Sequence, residues 1–294
     1  MRKTVFTVFL LLALILWNCP LRQETKEINI PSPSREMLNV QIEGLSNAGK
    51  NKLVFLQHGL AADREHQIIT TLRRVFLDNG YVVVSFDSRH SLGKSGRQVE
   101  KARLSTFVED LSAVIDWASG QDFYSEPFIV AGHSLGGASV LSYSAAHPRR
   151  VKKLIAVAPV VSGRLWEKSC LNNMPDFCRS WQTDGFYAYQ APNGGPRVNI
   201  SYRTLEEAKS FDALTLAPGI SAVPLLIAAA DDRVIPPADV QKLYDRFSQP
   251  KHMTVIKNCE HNFTSRRNRK DLAAAVKTFI LMSVKTKNPD EAGI

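Results

Sequence analysis

The sequence is short of cysteine, of internal repeats and of apolar runs long enough to cross a bilayer comfortably. Four cysteines among 294 residues are too few for a fold built on disulfides, and the lack of any Cys-x-x-Cys pair argues against structural zinc. No self-similarity occurs at a solenoid period. Sixteen glycines and 15 prolines are ordinary amounts and exclude collagen-like or low-complexity architecture. Charge is not segregated either. The chain carries 37 Lys+Arg against 28 Asp+Glu, a net +9, but the positives are scattered. The one dense cluster is Arg266, Arg267, Arg269 and Lys270, and no nucleic-acid-binding signature accompanies it. Nucleic acid is therefore not an expected partner. A solvated basic surface that tolerates anionic lipid headgroups is the expectation. What is abundant is apolar content, 44%, enough for a sizeable core in one large domain or two small ones.

The N-terminus reads as an address. Arg2-Lys3 is followed by a mostly apolar run from Val5 to Trp17, the layout of an export signal. The run is shorter than the ~20 residues that span a bilayer as a helix. Cys19 follows it as in a lipoprotein signal, although Trp17 and Asn18 stand where small residues are usual. Residues 1–19 are thus expected to be a signal peptide or an N-terminal membrane anchor. A lipoprotein, a retained anchor and a cleaved secreted form all place the remainder outside the cytoplasm, where disulfides form. Cys170 and Cys178 could bridge a local loop, leaving Cys259 over; two free thiols are the alternative. Residues 20–36 are polar, carry Pro31 and Pro33, and read as a linker.

From there the chain alternates. Apolar, β-branched runs of strand length occur at Leu53–Gln57, Tyr81–Phe86, Phe128–Ala131, Leu154–Ala158, Leu225–Ala229 and Met253–Ile256. Helix-period segments lie near 64–78, 106–119, 135–147, 237–248 and 270–284. Such alternation predicts an α/β fold, a mostly parallel sheet buried on both faces. Ligands bind such sheets at the strand C-termini. Residues 163–218 break the rhythm with Trp166, Trp181, Phe186, Tyr187, Tyr189 and Tyr202, and are expected to be a cap insertion over that edge. The main domain is expected over 37–286, with a C-terminal tail at 287–294.

Gly132-His133-Ser134-Leu135-Gly136 follows a strand run and opens a helical one. This is Gly-x-Ser-x-Gly in its required strand–turn–helix context, and it marks Ser134 as a candidate nucleophile. A serine hydroxyl needs a base in hydrogen-bond reach, itself oriented by an acid. Of the seven histidines, His261 alone follows the last strand at loop distance; His252 opens that strand, at the wrong end. The acid lies in Asp231-Asp232 after the preceding strand. Asp232 is the preferred residue, with Asp231 left to cap the turn or pair with Arg233. The backbone N–H groups of Leu135 and Leu60 are the expected oxyanion donors. His58 is expected to hold its loop, and Asp87 to bond nearby loop amides.

At these residues the chain resembles the α/β-hydrolases. The His58-Gly59 loop, Phe86-Asp87, Ser91-Leu92-Gly93-Lys94-Ser95, the Gly132–Gly137 elbow, Asp232-x-x-Ile235-Pro236 and His261 fall in that family's order, over about residues 50–284. It is most similar to the bacterial serine esterase/lipase and serine-aminopeptidase-like branch, which includes feruloyl-esterase-like members. Leu60-Ala61-Ala62 and Ala229-Ala230 depart from its more glycine-rich versions. The resemblance implies an α/β-hydrolase fold, a cap before the acid, no metal and no organic cofactor. The expected activity is hydrolysis of a small-molecule ester through an acyl-enzyme, with an apolar acyl or aryl group favoured by the aromatic residues of 163–218. Two alternatives stay open: a serine exopeptidase using the same three residues, and an inactive anchored binding protein on this scaffold.

Overall fold

A computed structural model describes residues 25–47, 52–191 and 195–283. The expected export segment 1–19, with Cys19, and the expected tail 287–294 lie outside the described residues. Eight strands form one sheet: β1 (Thr25–Pro31), β2 (Met37–Glu43), β3 (Leu53–Gln57), β4 (Val82–Asp87), β5 (Phe128–His133), β6 (Val151–Val157), β9 (Val223–Ala229) and β10 (His252–Ile256). Their order is β1-β2-β4-β3-β5-β6-β9-β10. β1, β2 and β4 pair antiparallel, and every other neighbouring pair is parallel.

Strand pleating sends alternate side chains to opposite faces, and both faces are apolar. Phe55, Val84, Val130 and Ala156 belong to one core cluster. Val54, Val83, Ile129 and Ile155, their neighbours in sequence, belong to the other. Helices α2 (Leu104–Ala118), α3 (Leu135–Ala146) and α8 (Pro237–Arg246) cover the first face, through residues such as Leu111, Leu141 and Leu243. Helices α1 (Gln67–Leu77) and α9 (Arg266–Leu281) cover the second, through Leu72, Phe76, Leu272 and Phe279. Burying each such side chain contributes roughly 1.5–3 kcal/mol, so two-sided burial makes the central strands near-continuous apolar runs.

One expectation needs correction. The segment 20–36 is not simply a linker, because residues 25–31 form β1, with Ile28 opposite Val40 and Ile30 opposite Leu38. An edge strand with one solvated face has a polar, alternating composition, and Pro31 is tolerated where no neighbour needs its N–H. The sheet therefore begins before residue 37. Residues 163–218 lie between β6 and β9, hold no strand of the main sheet and are regular: α4 (Gly163–Asn173), α5 (Pro175–Asp184), a hairpin of β7 (Phe186–Gln190) and β8 (Arg197–Ser201), α6 (Arg203–Ala208) and α7 (Ala213–Leu216). Cys170 and Cys178 are bonded across α4 and α5, with Cα atoms 5.6 Å apart, and Cys259 is a buried free thiol.

The aromatic side chains of this insertion pack on one another. Trp181 meets Tyr187 and Tyr202 edge to face at 5.1 and 5.5 Å, and lies 6.0 Å from Trp166. Trp166, Trp181 and Tyr202 are buried and continuous with the core on the first face of the sheet, whereas Phe186 is exposed.

Lys153 is the buried cation of the sheet. Its Nζ donates to the carbonyls of Phe279 at 2.8 Å and Met282 at 2.8 Å, at the C-terminus of α9. The last carbonyls of a helix lack intrahelical donors, and Lys153 supplies one through the sheet. Lys153→Met leaves those acceptors bare. It should lower unfolding free energy by about 1–3 kcal/mol, read as a reduced urea midpoint with unchanged slope.

Candidate active site

β5 ends in a turn that only certain residues permit. A Cβ on Gly132 would lie 2.2 Å from the carbonyl oxygen of Gly136, and one on Gly136 would lie 2.3 Å from that of His58. Neither position accepts a side chain without moving backbone. Between them Ser134 takes φ 53° and ψ −115°, the strained region that non-glycine residues rarely adopt. Its N–H donates to Val157 O at 2.9 Å, and its carbonyl accepts from Ala138 and Val160, both at 3.1 Å. The backbone is thus tied to β6 and α3 while the side chain is turned outward at the N-terminus of α3, whose partial positive charge favours an anion.

The three residues singled out in the sequence meet here. His261 Nε2 lies 2.9 Å from Ser134 Oγ. His261 Nδ1 lies 2.7 Å from Asp232 Oδ2. Facing a carboxylate, Nδ1 carries the proton, which leaves the Nε2 lone pair towards the serine hydroxyl. Asp232 is 5% exposed, and its Oδ1 accepts from the N–H groups of Val234 and Ile235, each at 2.8 Å. Asp231 is exposed and makes no bond to His261; its N–H donates to Cys259 O at 2.8 Å. The turn-capping expected of Asp231 is therefore done by Asp232, because the inward carboxylate is the one that reaches both the imidazole and the amides. Arg233 likewise does not pair with Asp231; its guanidinium donates to Asn173 O.

The loop after β3 abuts the same point. A Cβ on Gly59 would sit 3.2 Å from Ser134 Cβ, so the residue just before Leu60 packs against the serine, and Leu135 follows the serine in sequence. His58 is fully buried, with Nδ1 2.8 Å from Gly59 O and Nε2 accepting from Ser88 N–H at 3.0 Å. Both ring nitrogens are engaged within the loop, as a holding role requires. Asp87 accepts from the N–H groups of Arg64 and Lys94, each at 2.9 Å, which is the loop-bonding role expected of it.

Sequence reasoning did not find His133 and His66. His133 Nε2 lies 3.0 Å from the carbonyl of His261. Its ring stacks on His66 at 5.6 Å, with planes 7° apart, and His66 caps α1 by accepting from Ile68 N–H. Burial holds the rings of His58 and His133 neutral, His133 well below the usual imidazole range. For His66, burial and then the fields of His58 and His261 push the pKa down to about 4. A histidine in the second position of a Gly-x-Ser-x-Gly element carries no sequence signal for this contact. Among the described residues no group of three or more His, Cys, Asp or Glu side chains could hold a metal ion.

A family model described as serine aminopeptidase, S33 matches residues 49–266. The chain is 26% identical over 253 residues to a monoacylglycerol lipase of Mycolicibacterium smegmatis, covering 78% of this chain and 88% of that protein. Among solved structures, the ferulic-acid complex of Est1E from Butyrivibrio proteoclasticus superposes with a TM-score of 0.70 at 20% identity, covering 86% of this chain and 98% of that one. Alpha/beta hydrolase domain-containing protein 10 from mouse gives 0.68 at 17% identity, over 87% and 98%. The chain belongs to the serine aminopeptidase S33 family; its fold is the α/β-hydrolase fold, and it is a serine hydrolase.

The buried rings set an acid limit on stability. His66 titrates near 6.5 when unfolded and at about 4 in the fold, so the unfolded chain binds more protons between those values. Stability is therefore full above about pH 6.5 and declines as pH falls towards about 4. His66→Asn, which keeps a capping acceptor, should make that decline shallower, read as the urea midpoint compared at about pH 7 and about pH 4.5.

Proposed function

We propose that this member of the serine aminopeptidase S33 family hydrolyses carboxylic esters through a covalent acyl-enzyme formed on Ser134. One observation carries the reading: an unbroken line of hydrogen-bonding atoms from Asp232 Oδ2 through His261 to Ser134 Oγ, at 2.7 and 2.9 Å, ending on a serine in a strained turn. Ser134 Oγ attacks the carbonyl carbon and its proton passes to His261 Nε2. Asp232 orients the ring and stabilises the imidazolium that forms. The N–H groups of Leu60 and Leu135 receive the oxyanion, each such donor contributing roughly 3 kcal/mol. The tetrahedral intermediate collapses as His261 returns the proton to the leaving alcohol. Water, deprotonated by His261, then attacks the acyl-enzyme and releases the acid.

The names of the relatives, a monoacylglycerol lipase and a protein solved with ferulic acid, support an apolar acyl or aryl ester as the substrate class. The segment 163–218 is read as the cap that shapes its site. The second reading, an exopeptidase, draws on the family's description and needs free carboxylates in the cap for a substrate amine. Four of the acids there are engaged within the insertion: Glu167 pairs with Lys209, Asp176 with Arg179, Asp184 accepts from Ser180, and Asp212 caps α7. Glu207 accepts from Ser105 N–H through one oxygen only, and Glu206 is exposed. The ester reading is preferred on the names of the relatives. The Arg2–Trp17 run supports an exported protein, secreted or membrane-held through its N-terminus.

Wild-type protein should hydrolyse a short-chain p-nitrophenyl ester and be labelled by a fluorophosphonate. Ser134→Ala should abolish labelling and lower the rate by roughly three orders of magnitude or more, with its circular dichroism unchanged. Equal rates in variant and wild type would remove Ser134 from the chemistry. Asp232→Asn should cost far more than Asp231→Asn, which leaves the rate near wild type; the opposite ranking would exchange their roles.

A further inference from the structure

The peptide unit joining Arg233 to Val234 is held at both ends. Its N–H donates to Asp232 Oδ1 at 2.8 Å. Its carbonyl accepts from two side chains of α4, Ser169 Oγ at 3.0 Å and Asn173 Nδ2 at 3.1 Å. The same Asn173 Nδ2 lies 3.1 Å from Ser169 Oγ. Arg233 reciprocates, its guanidinium donating to Asn173 O. Residues four apart on a helix share a face, so Ser169 and Asn173 together present one donor pair to the acid loop. A peptide unit is planar and rigid, so gripping its carbonyl fixes the direction of its N–H. Hydrogen bonds in series also polarise one another.

We infer that Ser169 and Asn173 are positioning residues for the Asp232–His261 pair: from the insertion they clamp the Arg233 carbonyl and thereby fix the amide that aims the Asp232 carboxylate. This rests on the catalytic reading above for its consequence in rate, but not for its geometry. The insertion thus does more than cover the site. It supplies part of the frame on which the base is aligned, and Cys170, bonded to Cys178, sits next to Ser169 on that frame.

The test compares wild type with Ser169→Ala/Asn173→Ala, with Arg233→Ala and with Arg179→Ala. The last removes an exposed ion pair to Asp176 on α5 and leaves the clamp intact. The double variant should lower kcat roughly three- to tenfold, as for a misaligned hydrogen bond, with KM close to wild type. Arg233→Ala should shift kcat the same way by less, and it carries the test if the double variant does not fold. Arg179→Ala should match wild type. The His261 Nδ1 proton, held against a carboxylate, gives a proton magnetic resonance signal far downfield of the amides. In the double variant that signal should move upfield or broaden. An unmoved signal overturns the inference whether or not the wild type cleaves an ester, and so does a loss confined to KM. A wild type that neither labels with fluorophosphonate nor hydrolyses an ester would count against the proposed chemistry instead.

Discussion

The backbone of Ser134 sits where its own Cβ is unwelcome, and the architecture around it is arranged to keep it there. A non-glycine residue in such a conformation costs of order 1–3 kcal/mol. It persists because β6 takes its N–H, α3 and the loop after β6 donate to its carbonyl, and the carbonyls of Gly136 and His58 close in where glycines leave room. Fill either glycine and the turn opens, the hydroxyl swings, and the loop after β3 is displaced with it. The two apolar faces of the sheet are the reservoir that makes this strain tolerable.

Around that turn, three loops from the same edge of the sheet are tied to fixed structure rather than to each other's side chains alone. The His261 loop is anchored by fully buried Phe263, by Asn268 bonding Asn258 O at 2.9 Å and by Arg269 bonding Phe263 O at 3.2 Å. Asp232 is tied by the two amides of its own turn. The loop after β3 is tied by His58 and, through Arg64, by Asp87. The neighbouring imidazoles are uncharged, so they line the site without placing positive charge beside His261. Neutrality there follows from burial, and its cost surfaces only in acid.

Much of this was legible in the residues. Continuous apolar runs appear where a strand is buried along nearly its whole length, and β3, β4, β5, β6 and β9 were readable from them; the edge strand β10 was read as well, whereas buried β2 was not, because Asn39 and Gln41 interrupt its apolar run. The glycines around Ser134 were legible because the turn has no other solution. Asp232 and His261 were legible as the residues that meet Ser134, because chain order and strand ends restrict them to a few positions. What escaped was whatever depends on one solvated face or on a partner distant in sequence. β1 looked like a linker because an edge strand alternates. The aromatic residues of the insertion were read as favouring an aryl or apolar substrate, whereas Trp166, Trp181 and Tyr202 are core residues that join the insertion to the sheet. The contact of His133 with the His261 carbonyl joins residues 128 positions apart, and nothing local announces it. Asp231 and Asp232 could be ranked, but the double duty of Asp232 emerges only when the turn is folded.

The grip of α4 on the loop after β9 also bears on how such a scaffold can be refitted. The insertion enters and leaves between β6 and β9, and looks from its connections like a module that could be exchanged for another of different shape. Its hydrogen bonds to Arg233 say otherwise. A chimera that imported a foreign segment at this point would have to bring a matching donor pair, or carry compensating changes in the receiving loop. Transplanting specificity on this chain is therefore a problem of two segments at once.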